Sequence, residues 1–167
     1  MAAASSNRNT ERKDPGYKAY PVLASTRIYK GTKVAIDSAG YATPATNAAG
    51  KRVVGVADAE ANNSAGASGA INVVVKEGVY KFAASSITQA MVGQMMYVVD
   101  DQTFDEAIGT AGIKAGRLVE FVSTTEGWIH VKDQSIGAVT ANADATYGQP
   151  EADLINELKA VLNSNVA

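Results

Sequence analysis

Four carboxylates, Asp100, Asp101, Asp105 and Glu106, fall within one short stretch of the chain. Hard cations such as calcium want several oxygen ligands, so this cluster is the best candidate for a metal site. Its spacing departs from the Asp-x-Asp-x-Asp-Gly pattern of a calcium loop. Asp100-Asp101-Gln102-Thr103 also suits a tight turn after an apolar strand, with Asp side chains accepting from nearby amides. The turn is the expectation, and no metal ligand is assigned. His130 is the only histidine, and within Trp128-Ile129-His130-Val131 it reads as a strand residue rather than a catalytic base. A Ser-His-Asp triad assembles in space, so spacing alone does not exclude one, but no Gly-x-Ser-x-Gly elbow occurs. Phosphate loops, dinucleotide fingerprints and zinc spacings are missing too. Paired carboxylates for glycoside hydrolysis would need an aromatic-lined cleft, and the chain has one tryptophan. We therefore expect no catalytic residue, no cofactor and no enzymatic activity. A hydrolase built on His130 ranks last among the readings.

Whatever these residues do, short strands must position them. The chain has 167 residues, 46% hydrophobic but only 7% aromatic, with 15 glycines. Much of the apolar content is alanine and valine, and valine-rich strands with glycine-rich turns point to a mainly β protein. A net charge of −2 argues against a general nucleic-acid binder, which needs a concentrated basic surface. No cysteine is present, which removes disulfides, thiolate metal sites and cysteine nucleophiles. No apolar run approaches the roughly 20 residues that span a bilayer, and Met1-Ala2-Ala3-Ala4-Ser5-Ser6-Asn7 lacks the order of a secretory signal. A soluble protein made in the cytoplasm is expected, with no membrane partner and no direct nucleic-acid partner.

The chain divides into zones. Residues 1–20 read as an extended polar arm, charged through Arg8, Glu11, Arg12, Lys13, Asp14 and Lys18. Arg8, Arg12, Lys13 and Lys18 suit an acidic partner surface, with Tyr17 and Tyr20 as anchors. Exposed ion pairs contribute only about 0–1 kcal/mol each, so such anchors are needed. Residues 21–133 read as a small β-barrel or β-sandwich domain. Within it, Ala59–Ala70 reads as a flexible surface loop, and Thr124-Thr125-Glu126-Gly127 as a hairpin turn. Tyr29–Asp58 reads as strand, turn, strand, loop and strand, and a related arrangement returns where Val92–Asp101 is followed, after a loop, by Ala115–Val122. Residues 134–149 read as a linker. Residues 150–163 read as a short C-terminal helix, with Pro150 in its first turn and Glu151 and Asp153 at the positive end of its dipole. Leu154, Leu158, Val161 and Leu162 form its apolar stripe, which would dock on the chain's own domain, on a second copy or on a larger shell.

Taken in order, several of these segments carry a resemblance. Ile28-Tyr29-Lys30-Gly31-Thr32-Lys33-Val34-Ala35-Ile36-Asp37-Ser38-Ala39-Gly40-Tyr41-Ala42-Thr43-Pro44-Ala45 is followed by Arg52-Val53-Val54-Gly55-Val56-Ala57. Next come Val73–Phe82, Ile87–Thr103, Ala115–Glu120 and Gly127-Trp128-Ile129-His130-Val131. This series, over residues 25–132, resembles the capsid cement (head decoration) proteins of tailed bacteriophages. Each piece alone is generic β-sequence, and their order is the specific feature. The resemblance implies a virion structural protein on the outer capsid surface of an icosahedral head. It would bind the major capsid protein, bridge neighbouring subunits and stabilise the expanded shell. It also implies a homo-oligomer, a trimer before a dimer. The arm residues Arg8, Arg12, Lys13, Tyr17, Lys18 and Tyr20 would then be the capsid contacts, and the helix stripe would serve oligomer or shell docking. The alternative is a receptor- or glycan-binding β-module on a virion tail or cell surface, which needs Tyr41, Tyr80 and Trp128 gathered on one exposed face.

Overall fold

In the computed structural model, the structure describes residues 16–132. The chain divides into two units, Met1–Ser135 and Ile136–Ala167, and the described residues belong to the first. The linker over 134–149, the helix over 150–163 with Leu154, Leu158, Val161 and Leu162, and Arg8, Arg12 and Lys13 in the arm lie outside them.

The fold is mainly β. In chain order the strands are β1 (Tyr17–Pro21), β2 (Thr26–Ile28), β3 (Lys33–Ile36), β4 (Ala42–Pro44), β5 (Arg52–Ala57) and β6 (Ala61–Asn63). They continue as β7 (Asn72–Lys76), β8 (Gly78–Ser85), β9 (Met95–Val98), β10 (Thr103–Asp105), β11 (Lys114–Ser123) and β12 (Glu126–Val131). A five-stranded sheet has the order β1-β7-β5-β3-β4, a closed barrel has the order β10-β8-β12-β11-β9, and β2 pairs with β6. Two expectations change here. The arm gives way to a strand at Tyr17, because Tyr17–Pro21 pairs antiparallel with Asn72–Lys76. The Ala59–Ala70 stretch contains β6, where Ile28 faces Ala61 and Thr26 faces Asn63.

The two sheets follow one plan. In each, a strand is followed by a turn, a second strand and a loop, and the third strand then pairs with the first. Val34 faces Gly55 in the first sheet, and Met96 faces Gly116 in the second. Gly31 N–H donates to the Ala57 carbonyl and Ala57 N–H to that of Thr32, while Gly93 donates to Leu118 and Leu118 to Gln94. The next strands repeat the correspondence, with Val56 facing Lys76 and Arg117 facing His130. Lys76 in turn faces Tyr17, and His130 faces Val79. Even the closing contact recurs. A parallel bridge joins Val22 to Ala42, bringing the edges of the first sheet together, and a parallel pair joins Ala84 to Phe104. The described residues thus form two repeats connected by Glu77 alone, a five-stranded sheet whose edges meet at the Val22–Ala42 bridge (β1–β7, with the β2–β6 pair) and a closed barrel (β8–β12).

Each repeat has a bulge at its third strand, and both bulges use glycine. Gly55 has φ 148° and Gly116 has φ 155°. A Cβ at Gly55 would lie 2.7 Å from the Lys76 carbonyl oxygen, and one at Gly116 would lie 2.1 Å from that of His130. The extra residue resets the alternation of the strand. Val54 and Ala57 therefore face the interior of the first repeat, with Val22, Ile28, Val34, Ala42, Val73 and Val75. Val53 and Val56, with Ala35 and Ala45, turn the other way. They join the core built on Phe82, Met96, Phe104, Leu118 and Ile129 of the second barrel. This shared cluster is the seam between the repeats.

Candidate functional site

One cluster of ion pairs lies at the junction of the repeats. Glu77, the connecting residue, accepts from Lys18 Nζ at 2.8 Å and also from Lys132 Nζ. The bonds to Lys132 and Lys18 hold its carboxyl below the usual range, and the bond to Glu77 raises the Lys18 amine. On the preceding residue, the last of β7, Lys76 Nζ lies 2.9 Å from Asp58 Oδ1 and 4.5 Å from the centre of the Tyr17 ring. Contacts with Tyr17 and Asp58 raise the Lys76 amine. A shallow groove of about 230 Å³ beside this cluster is lined by Lys30, Asp58, Lys76 and Tyr80, with Val56 beneath.

Beneath the surface, Lys33 is completely buried. It starts β3 and shares the outward face of that strand with Ala35, so its side chain enters the seam. Its Nζ sits 4.1 Å from the centre of the Phe82 ring and makes no hydrogen bond. Burial lowers the amine to about 8, and the charges of Asp100 and Asp101 partly offset that effect. The sequence reading missed Lys33. The available signal was a lysine beginning an apolar Lys-Val-Ala-Ile strand, at a place where the second repeat has Met95.

The acidic cluster forms a turn. Asp100 Oδ1 accepts from the amides of Gln102 and Thr103, both at 2.7 Å, and Asp105 Oδ1 from Ala107 at 3.3 Å. The corresponding turn of the first repeat is capped in the same way, with Asp37 Oδ1 accepting from Ala39 and Tyr41 at 2.9 Å. Among the described residues, no three His, Cys, Asp or Glu side chains come together to hold a metal ion. His130 is half-buried on β12, with Arg117 opposite it on β11 and Val79 on β8.

Of the expected partner contacts, Tyr17 is 52% exposed at the head of β1, Lys18 is bonded to Glu77, and Tyr20 packs on the first core. The three are brought together on one strand. Trp128 is 37% exposed and faces Lys81 across the β8–β12 pair. Tyr80, the neighbour of Lys81, faces the other way and packs on the seam core. Tyr41 lies beside Gly69 and Pro21 in the first repeat. These three aromatics form no common platform. Elsewhere, Lys51, Arg52 and Lys114 line a cleft over Val53 and Ile113. No helix among the described residues is long and apolar enough to cross a membrane.

No family model, curated protein or solved structure matches this chain.

Proposed function

We propose that the chain is a capsid cement protein. It binds the outer surface of an icosahedral phage head and bridges neighbouring major capsid subunits, as a trimer or other small homo-oligomer. The observation that carries this reading is the ordered series of segments over residues 25–132, which resembles the phage cement proteins. Those segments fall on β2 to β5 and on β7 to β12, and leave β1 and β6 outside them. A role in holding other proteins together also suits the chemistry on display. Asp100 and Asp105 of the acidic turn are engaged by backbone amides, and among the described residues the buried Lys33 amine has no hydrogen-bond partner. Binding only the expanded shell would stabilise that state by mass action. Many copies with modest individual contacts would give a large collective effect.

The test is co-sedimentation of the purified chain with expanded and unexpanded heads formed by the major capsid protein encoded beside it. Saturable binding to expanded heads alone, with greater resistance of those heads to heat, is the expected result. No binding to either form, or equal binding to both, would count against the reading.

A further inference from the structure

We propose that Lys33 is a pH-sensitive clasp on the seam, which opens more readily when its amine is protonated and holds more firmly once it is neutral. The inference stands apart from any capsid role. It begins with geometry. The Lys33 N–H donates to the Asp101 carbonyl at 2.8 Å, so the residue bonds across from the first repeat to the second through its backbone. Its side chain crosses as well and ends against the Phe82 ring. An ammonium group taken out of water without a hydrogen-bond partner is costly, and a ring face returns only part of that cost. The fold itself asks for no charge here, because the corresponding position of the second repeat is Met95, an uncharged side chain of similar length. The lysine therefore adds something that the shared plan does not require.

The groups around the amine set its response. From the turn after β9, Asp100 and Asp101 favour the charged form. From β8 come the Phe82 ring and, on the same face, Tyr80, whose hydroxyl is raised by burial and stays neutral in this range. From β5 comes Val56, directly opposite Lys33. Opening the seam returns the amine to water, where its ordinary value is 10.5, against about 8 when closed. The open form therefore holds more protons between those values, and opening becomes less favourable as pH rises through them. Linkage puts the fall in the opening constant at about tenfold between pH 7 and pH 9.

Hydrogen exchange of the full chain, corrected for intrinsic rates, tests this at two amides. The residue-33 amide spans the seam, whereas the Leu118 amide is bonded to Gln94 within the second barrel. We expect the residue-33 amide to gain about tenfold protection between pH 7 and pH 9, with little change at Leu118. Lys33→Met should remove that dependence. An identical pH dependence in Lys33→Met would overturn the clasp, as would an equal gain at Leu118, which would place the effect on global unfolding. Should the variant not fold, side-chain NMR of the unaltered protein decides. Titration of the Lys33 amine near 8 supports the proposal, and titration at its ordinary 10.5 refutes it.

Discussion

The carboxylate of Glu77 draws Lys18 and Lys132 to one point, and so ties the first strand and the end of the last to the connection between repeats. Its folded value lies below the ordinary 4.5 of a free glutamate. The stability it contributes is therefore fully present above 4.5 and is lost as pH falls through the lower folded value. Glu77→Gln should flatten that acid limb, measured as the denaturation midpoint between pH 5 and pH 2 (about the span in which carboxylates titrate). Unchanged acid sensitivity would show that the tie contributes little. Asn63 acts through its amide nitrogen, which reaches the carbonyls of Val22, Leu23 and Ala67 at 3.2, 2.9 and 2.9 Å. Neither role was legible in the sequence. Glu77 lay inside the Val73–Phe82 segment and Asn63 inside the Ala59–Ala70 loop, and the partners that matter, Lys18 and Lys132 for the one and Val22 and Leu23 for the other, come from distant segments. The Asp100 turn was legible, since its bonds reach only two and three residues along the chain.

At the scale of the element, the glycine bulges decide which side of each third strand is apolar. Gly116→Ala would push a methyl group to 2.1 Å from the His130 oxygen, a backbone atom that has no rotamer in which to withdraw. It should destabilise the protein by about 2 kcal/mol or more, read as a lower midpoint in urea. A change below roughly 0.5 kcal/mol, the usual range for surface substitutions, would mean that β11 and β12 separate there without cost. That a related arrangement of short strands returns could be read from the valine- and glycine-rich segments, but the full plan could not, because β10 is three residues inside a turn-rich stretch. The strand β6 could not, because Ala61-Asn62-Asn63 has the composition of a turn. It is held by pairing with β2 and by the buried Asn63 amide, neither of which is a local preference. The residues of β1 were hidden for the same reason, since Tyr17-Lys18-Ala19-Tyr20 becomes a strand through the valines of β7.

For the whole molecule, the repeats share a seam, because Ala35, Ala45, Val53 and Val56 of the first join the core of the second, while the first keeps a separate core of its own. Removing residues 1–15 leaves every described strand in place. It should keep the denaturation midpoint within about 0.5 kcal/mol of the full chain, the range of changes made away from structural features, while weakening attachment to expanded heads. Full-strength attachment by the shortened chain would move the main contact to the repeats or to the residues beyond Asp133. A small β-barrel or β-sandwich was readable from short strands at regular spacing. The choice between them, and the pairing of a closed barrel with a second sheet of the same plan, was not, because closure depends on pairs such as Ala84 with Phe104 and Val22 with Ala42 that no local pattern announces. The path of the chain also places its two exits together. Tyr17 lies opposite Lys76, and Val131 lies opposite Gly78, on either side of the single residue Glu77. A pull applied through the two flanking segments would thus be shared by Lys18, Glu77 and Lys132 at one corner. The load would pass through a short ionic knot, and neither repeat would be drawn out along its length.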